Sequence, residues 1–386
     1  MTLITQTAEL AAFCQRQGGT EFVAVDTEFM RDKTYWPQLC LVQVAGPEEA
    51  AAIDTLAPGI DLKPLYDLLA DTAITKVFHA ARQDMEVFYH LTDRLPTPIV
   101  DTQVAAMVCG FGDSVSYETL ATKLASARID KSSRFTDWAR RPLSERQLAY
   151  ALSDVTHLRL AYEKLRRRIE KTGRHGWFAD EMAVLTDPKT YRANPQEMWR
   201  RLKVRSDKPR FLALLRELAA WREEEAQKRN LPRNRIVKDE TLIELAAHAP
   251  RNAEELGHAR GLGRGFAESK QGSAILAAIE RGLAVPEAEC PKPDPRPVLP
   301  AGIGPLVELL KVLLKSKCEQ HGVAQRLIAS SDDLDLLAAD DTADVPALHG
   351  WRREVFGEDA LALKAGRIGL AVAGKGIKIV PLSTTP

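Results

Sequence analysis

The chain has 386 residues, of which 45% are hydrophobic and 27% are charged. These values are ordinary for a globular protein, and the length allows two or three domains. Lys and Arg together number 53, and so do Asp and Glu. Any affinity for nucleic acid must therefore come from a local surface rather than from the charge of the whole chain.

The cysteines argue against a zinc site and against a disulfide framework, because no two of them form a C-x-x-C pair. We expect most of them to be small buried hydrophobic residues. The five are Cys14, Cys40, Cys109, Cys290 and Cys318. The first twenty residues lack a basic start followed by an apolar core, and no apolar run is long enough to cross a membrane. The sequence therefore predicts a cytoplasmic protein.

The first part of the chain predicts a mixed sheet covered by helices. Short apolar runs bounded by turn residues predict five strands. Helical patterns appear between the later strands, as expected when helices cover one mixed sheet. The predicted strands are 22–25, 39–44, 51–54, 76–79 and 98–101, and short helices are predicted at 65–69 and 85–90.

Two carboxylates follow the first of these strands. Asp26 and Glu28 alternate with other residues after the apolar run 22–25. The period of a strand places both on the same face, about 6.5–7 Å apart. A divalent cation such as Mg²⁺ or Mn²⁺ would relieve their repulsion. The other interpretation is a polar strand end with both carboxylates in water, and this stretch alone does not decide between the two.

The clearest single helix is predicted at 144–168. Ser144 begins this helix, and Gln147 stands at the spacing of a capping box. Tyr150 and Asp154 are four residues apart, so they share one face of the helix. An Asp in the middle of a helix has poor intrinsic propensity, which marks Asp154 as a candidate functional residue.

Asp84 supplies a further carboxylate, five residues after His79 at the end of the fourth predicted strand. The helix dipole alone would favour an acidic residue at the start of the helix that follows. Taken singly, each of these acidic residues is more often structural. Together they give four carboxylates and a phenol from one strand and two helices: Asp26, Glu28, Asp84, Asp154 and Tyr150.

In this order and at these intervals, the motifs resemble the three exonuclease motifs of the DEDD superfamily. The motifs are Asp26-x-Glu28, His79-x4-Asp84 and Tyr150-x3-Asp154. The tyrosine is typical of the DEDDy branch, because the sister branch has a histidine one residue later, where this chain has Ala151. The wider sequence resembles that of the ribonuclease D family. That resemblance implies an α/β ribonuclease H-like exonuclease domain, with a mixed five-stranded sheet flanked by helices.

The resemblance also implies two-metal-ion hydrolysis that releases 5′-mononucleotides from a 3′ end. Asp26 would bridge two divalent ions, Mg²⁺ or Mn²⁺. Glu28 and Asp154 would complete one ion site, and Asp84 would support the other. Tyr150 would orient the attacking water. The residues expected to contact the terminal nucleotide are Thr27, Phe29, Met30, His79 and Gln83.

The second half of the chain resembles helical modules. The sequence around Trp221, Leu231 and Lys238 resembles an HRDC domain, a helical module shared by helicases and ribonuclease D. Seven prolines between residues 286 and 305 predict an extended linker. The predicted segments are the exonuclease domain 1–170, a helical connector 171–204, an HRDC domain 205–285, the linker 286–302 and a second, divergent all-α HRDC-like domain 303–386. Because the candidate catalytic residues all precede residue 155, a fragment ending near residue 205 is expected to keep the chemistry.

Residues 196–238 carry thirteen Lys or Arg against six Asp or Glu, and Trp199, Phe211 and Trp221 are interleaved with them. This composition is typical of a nucleic-acid-binding surface. It is equally typical of a helical bundle whose aromatic residues form the core and whose charges face water.

The resulting hypothesis is a monomeric 3′–5′ exoribonuclease that trims tRNA precursors and other structured RNAs and has no membrane partner. A DNA 3′–5′ exonuclease is the alternative, because no residue here reads a 2′-hydroxyl unambiguously. A third hypothesis is a non-catalytic RNA-binding protein with an inactive nuclease fold. The complete set of motif residues argues against that hypothesis.

Overall fold

The computed structural model describes residues 2–292 and 299–382. The chain divides into two compact units. The first comprises the described residues of 1–28, 40–188 and 297–386, and the second comprises those of 29–39 and 189–296.

A six-stranded mixed sheet forms the centre of the first unit. Its strands are β1 Thr2–Ile4, β2 Phe22–Met30, β3 Gln38–Ala45, β4 Ala50–Asp54, β5 Thr75–Phe78 and β6 Ile99–Asp101. They lie in the order β1-β4-β3-β2-β5-β6. The pairs β1–β4, β2–β5 and β5–β6 are parallel, and β3–β4 is antiparallel. In the β2–β5 pair, Phe22 lies opposite Thr75 and Ala24 opposite Val77.

All five predicted strands are present, but the expectation of a five-stranded sheet was wrong by one strand. The addition is β1 at the edge, where Leu3 pairs with Ala52 of β4. Three residues are too few to give a periodic pattern, so only pairing with the rest of the sheet defines this strand.

Seven α-helices accompany the sheet within residues 2–188. They are α1 Thr7–Gln17, α2 Lys63–Ala70, α3 Arg82–Thr92, α4 Thr102–Val108, α5 Tyr117–Leu120, α6 Glu145–Thr172 and α7 His175–Thr186. Val155 and Leu158 of α6 pack with Ala24 of β2 and Val77 of β5, and all four are buried. This packing fixes the helix face that carries Asp154 against the sheet.

The start of α6 is fixed by two sets of polar contacts. The predicted capping box is confirmed: the Gln147 N–H donates to Ser144 Oγ over 3.2 Å, and the Ser144 N–H donates to Gln147 Oε1 over 3.0 Å. Just before the helix, Arg141 forms a two-point ion pair with Asp54, at 2.6 and 2.7 Å, and donates to the Cys40 carbonyl over 2.8 Å. The segment leading into α6 is therefore tied to β3 and β4.

The last segment contains helices and a hairpin. Its elements are α14 Gly304–His321, α15 Ser331–Ala339, α16 Gly350–Arg352, α17 Glu358–Lys364, β7 Ile368–Ala373 and β8 Gly376–Pro381. The expectation of an all-α segment was therefore wrong, because β7 and β8 pair as an antiparallel hairpin. The sequence carried the signal: large apolar residues alternate on both sides of Gly374, whose φ of +61° suits a tight turn. The predicted linker before this segment includes residues 293–298, which lie outside the described residues.

This last segment packs against the exonuclease part of the first unit. The Arg174 guanidinium donates to the main-chain carbonyls of Val108 and Gly322, both over 2.7 Å. Gly110 has a φ of +76°, and a Cβ built on it would lie 2.5 Å from the Gly322 carbonyl. Only glycine satisfies both the backbone conformation and this close approach.

The second unit is helical. Its helices are α8 Pro209–Arg229, α9 Arg233–Ile236, α10 Asp239–His248, α11 Ala253–Gly257, α12 Arg264–Ala267 and α13 Lys270–Ala284, preceded by a 3₁₀ segment Pro195–Arg201. Trp199 and Trp221 are buried in its core. Tyr35, from the short segment 29–39, also joins this core and donates its hydroxyl to the buried Glu223. Arg233 pairs with the same carboxylate, donating from Nη2 over 2.8 Å.

The expectation for the cysteines is confirmed, since all five are buried as free thiols. Across the described residues, no helix combines the length and the apolar character that crossing a membrane would require.

Candidate active site

Strand β2 places two carboxylates beside a third from α6. The apolar run Phe22–Val25 is buried, and the strand then continues through Asp26 and Glu28, which are half-buried. One carboxylate oxygen from each of Asp26, Glu28 and Asp154 lies within 4.8 Å of the other two. The structure thus brings together residues that are more than 120 positions apart in the chain.

Asp84 lies close to this cluster but is not one of the three. It is buried in the first turn of α3, and its carboxylate accepts a hydrogen bond from the Thr27 hydroxyl. Thr27 is itself buried between Asp26 and Glu28 on β2. Thr27 therefore fixes the Asp84 carboxylate relative to the strand that carries the other two ligands.

Asp101, at the end of β6, organises the entry to α3. Its two carboxylate oxygens accept hydrogen bonds from the main-chain N–H groups of Ala80 and Ala81, both over 2.9 Å. These bonds hold Ala80 in the left-handed region, with a φ of +59°. That conformation costs free energy for a residue with a Cβ, so the Asp101 contacts stabilise the turn that delivers Asp84. Sequence reasoning missed this role, although a carboxylate at the end of a predicted strand was visible.

The carboxylates of the cluster lie close together in a partly buried site, so their negative charges would repel one another. Burial first, and then the charges of Asp26 and Asp154, raise the pKa of Glu28 to about 10. Burial raises the pKa of Asp154 to about 7, opposed by a hydrogen bond from Tyr150. Burial and a neighbouring carboxylate also raise the pKa values of Asp26 and Asp84 well above the ordinary range. These groups need a positive charge to be ionised together at neutral pH.

The residues fit a divalent cation. Carboxylate oxygens are the ligands that Mg²⁺ and Mn²⁺ prefer. The Oδ1 atom of Asp154 is buried and has no hydrogen-bond partner among the described residues, although such atoms are nearly always satisfied. A cation bound between Asp26, Glu28 and Asp154 would satisfy this oxygen and offset the repulsion.

Tyr150 faces the carboxylates one turn of α6 before Asp154. Burial, followed by the charges of Asp154 and Glu28, raises its pKa above the ordinary value for tyrosine, so the hydroxyl keeps its proton at neutral pH. Its ring packs at 6.1 Å from the buried indole of Trp138. The packing holds the hydroxyl at the edge of the cluster, where it can form a hydrogen bond with a water molecule or a substrate.

The carboxylates open into a cavity of about 370 Å³ whose lining includes Asp26, Tyr150, Asp154, His79, Tyr117 and Arg134. Both ring nitrogens of His79 have partners: Nδ1 lies 2.9 Å from Thr102 Oγ1, and Nε2 lies 3.2 Å from the Val115 carbonyl. The imidazole therefore holds the wall of the cavity in place. Sequence reasoning missed Tyr117 and Arg134 because neither belongs to one of the three motifs.

The other residues expected to contact substrate occupy varied positions. Thr27 is engaged with Asp84, Gln83 is exposed at the start of α3, and Phe29 and Met30 are half-buried at the end of β2. Their contact with a nucleotide stays a prediction.

Comparison with known proteins agrees with this architecture. A family model described as 3′–5′ exonuclease matches residues 1–170, and a model described as HRDC domain matches residues 211–279. The second match lies within the helical unit, and one HRDC domain is thereby identified. The mixed sheet and the first match define the class of the protein as a 3′–5′ exonuclease.

Relatives over nearly the whole length are proteins named ribonuclease D. The chain is 55% identical over 380 residues to the one from Granulibacter bethesdensis, covering 98% of this chain and 96% of the relative. It is 52% identical over 379 residues to the one from Gluconacetobacter diazotrophicus, with the same coverage. The chain belongs to the ribonuclease D family and is a 3′–5′ exoribonuclease. This decides between the RNA and DNA alternatives that the residues left open.

A solved structure shares the fold. The Escherichia coli RNase D structure, described as that of an exoribonuclease involved in structured RNA processing, matches with a TM-score of 0.78 and 32% identity. The match covers 94% of this chain and 98% of the E. coli chain.

Proposed function

We propose that this exoribonuclease trims the 3′ ends of structured RNAs, tRNA precursors among them, and releases 5′-mononucleotides. The observation that carries the proposal is the cluster of Asp26, Glu28 and Asp154, two of which, Asp26 and Asp154, line a cavity together with Tyr150. The E. coli relative, involved in structured RNA processing, supports structured RNA as the substrate class.

In this proposal, two divalent ions are held by the four carboxylates. Asp26, Glu28 and Asp154 would hold one ion, and Asp26 with Asp84 would support the other. Bound ions supply Lewis-acid stabilisation of the reacting phosphate and lower the pKa of the attacking water. Tyr150 orients that water through its hydroxyl, because a phenol that keeps its proton can still donate one hydrogen bond and accept another.

The proposed division of labour follows the chain. The exonuclease domain 1–170 carries the chemistry, a helical connector 171–204 follows, and the HRDC domain 205–285 contacts the body of the RNA. Beyond the linker 286–302, residues 303–386 form a divergent HRDC-like module, whose described part includes the hairpin β7–β8. All five candidate catalytic residues come from one chain, so a monomer is sufficient for activity.

The test compares a tRNA precursor carrying a 3′ extension, a short single-stranded RNA and a DNA of the same sequence. Each is incubated with the full chain in Mg²⁺, Mn²⁺ or EDTA, with Asp154→Asn as the inactive control. We expect metal-dependent, stepwise release of 5′-mononucleotides from RNA and trimming of the precursor. Failure to shorten the precursor while the short RNA is degraded would overturn the substrate assignment and leave the exoribonuclease activity intact.

A further inference from the structure

Arg134 stands out among the residues that line the carboxylate cavity. Of the described side chains around that cavity, it alone is a lysine or an arginine. The other charged lining residues are Asp26, Glu118 and Asp154, and all three are acidic. The substrate is a polyanion, so a positive group at this position has an evident chemical use.

The turn that carries Arg134 is held at both ends. On one side, Ser133 is buried, and its carbonyl accepts a hydrogen bond from the Thr136 hydroxyl over 2.8 Å. The Gln147 side chain donates to the same hydroxyl over 3.1 Å and so ties the turn to α6. On the other side, Trp138 is buried. Arg134 and Phe135 therefore stand at the tip of a turn that the fold itself positions.

The Arg134 guanidinium faces the carboxylates without pairing to them. Its charge lowers the pKa values of both Glu28 and Asp154, against the larger effect of burial. Within residues 2–292 and 299–382, no carboxylate forms an ion pair with it. The guanidinium lies over the ring of Phe135, whose centroid is 5.1 Å from the Arg134 Cζ atom. Arg134 is itself exposed, and so is Phe135, so the donors of the guanidinium remain available.

When metal ions and RNA are bound, the charges at the site leave one negative charge that the Arg134 guanidinium can balance. The four carboxylates of the metal site carry four negative charges, which two divalent ions would neutralise, and Glu118 adds a further acidic group to the cavity lining. An RNA phosphodiester then brings one further negative charge, and Arg134 supplies the matching positive charge. The planar guanidinium can donate two parallel hydrogen bonds to phosphate oxygens, a geometry that an ammonium group lacks.

We propose that Arg134 binds one of the two RNA phosphates nearest the 3′ end and so holds the strand in register with the carboxylates. The proposal rests on the proposed function, because the charge balance assumes the two-ion site. It adds a substrate-binding residue outside the three exonuclease motifs. In this proposal, Arg134 contacts the phosphate backbone of the RNA rather than a base.

The test is a cycle that combines a protein variant with a change in the RNA. Full-length wild type, Arg134→Gln and Arg134→Lys are compared with Arg128→Gln, which removes an exposed arginine from the same connection outside the cavity lining. Short single-stranded RNAs serve as competitors against trimming of a labelled reference RNA. Each competitor carries one neutral methylphosphonate at the first, second or third linkage from the 3′ end.

We expect Arg134→Gln to raise the inhibition constant of the unmodified RNA by about 10-fold or more, the effect of losing a hydrogen bond to a charged group. In wild type, a methylphosphonate at the contacted linkage should weaken binding by a similar factor. Arg134→Gln should be clearly less sensitive than wild type to that modification and as sensitive as wild type at the third linkage, because two changes to one contact are not additive. Arg134→Lys should fall between the two, and Arg128→Gln should behave as wild type.

An unchanged inhibition constant in Arg134→Gln would overturn the proposal. So would sensitivity to the first and second linkages equal to that of wild type. Melting temperatures matched to wild type would show that the exposed substitution leaves the fold intact. If wild type itself failed to degrade RNA in Mg²⁺ or Mn²⁺, the proposed function would fail. If wild type were active and the cycle additive, only the assignment of Arg134 would fail.

Discussion

The indole rings of Trp177 and Trp351 stack nearly parallel, with centroids 4.1 Å apart and planes inclined by 12°. Trp177 belongs to α7 and Trp351 to the last segment of the chain, so this pair joins the exonuclease part of the first unit to residues beyond the proline-rich stretch. Beside them, Arg352 pairs with Glu181 of α7. The last segment is thus a structural part of the unit that contains the active site.

The first prediction concerns this contact. Trp351→Ala removes a large buried aromatic ring, so we expect the free energy of unfolding of the first unit to fall by about 3–5 kcal/mol. Chemical denaturation followed by circular dichroism measures it. Trp351→Phe should lose less of this free energy of unfolding. Val372→Ala, at a 77% exposed position of β7, should have a free energy of unfolding within about 0.5 kcal/mol of that of wild type. Equal stability of Trp351→Ala and wild type would show that the stack contributes nothing.

A consequence follows for shortened chains. The Arg326 main-chain N–H donates to the Asp113 carboxylate over 2.9 Å, next to Ser114 in the cavity wall. A fragment ending near residue 205 would lack this contact and the tryptophan stack. We therefore expect such a fragment to be less stable as well as weaker in RNA binding, and its activity must be interpreted together with its unfolding curve.

The second prediction concerns pH and metal removal. In the metal-free site, burial raises the pKa of Asp154 to about 7 and that of Glu28 to about 10, whereas both titrate near about 4 in an unfolded chain. The folded state then binds more protons, so the free energy of unfolding falls as the pH rises above about 4. Bound Mg²⁺ or Mn²⁺ favours the ionised carboxylates and should reduce this fall.

The measurement is the melting temperature between about pH 5 and pH 8, in EDTA and in excess Mg²⁺ or Mn²⁺. We expect a decline in EDTA that the metal ions flatten. Asp154→Asn, which cannot ionise at that position, should show a shallower decline in EDTA and little stabilisation by metal. Identical pH profiles with and without metal would contradict the assignment of these carboxylates.

The third prediction concerns Tyr150. Tyr150→Phe keeps the ring that packs beside Trp138 and removes only the hydroxyl. If that hydroxyl orients the attacking water, the single-turnover rate should fall by about 10²–10⁴, the range for positioned acid–base groups. RNA binding should change little. A rate equal to that of wild type under chemistry-limited conditions would reduce Tyr150 to a packing residue.

The fourth prediction concerns the basic segment 196–238. Its aromatic residues Trp199 and Trp221 are buried, which favours the interpretation that they form a helical core. Several of its arginines are paired, as Arg222 is with Asp239. Three exposed basic residues of the segment nevertheless remain: Arg201, Lys203 and Arg205. They alternate with Leu202 and Val204, which face the helical core.

Replacing these three exposed residues by Gln should weaken binding of a structured RNA and lower the slope of log affinity against log salt by about 2, since each phosphate contact contributes about 0.7–0.9. The matched control removes three exposed basic residues, Lys164, Arg167 and Lys171, near the end of α6, where they suit the helix dipole. If the control changes the slope as much, the alternating residues have no special part in RNA binding.

Local patterns determined a large share of the fold and of the candidate site. The alternation that predicted Asp26 and Glu28 on one face is a property of a single strand, and the Ser144–Gln147 capping box spans only one helical turn. Such features depend on neighbours within a few residues, so the sequence displays them directly. The spacing of the motifs also carried the family resemblance, and through it the expectation of an exoribonuclease.

Only the tertiary structure decided which distant residues meet. The ion pair of Arg141 with Asp54 joins positions far apart in the chain, and so does the hydrogen bond of Thr27 with Asp84. Neither leaves a periodic trace. The three residues of β1 form a strand only because β4 pairs with them. The proline-rich stretch suggested a separate final domain, whereas residues beyond it pack on α7 through Trp177 and Trp351. A linker's composition reports its stiffness, but where the chain beyond it docks depends on surfaces that exist only after both parts have folded.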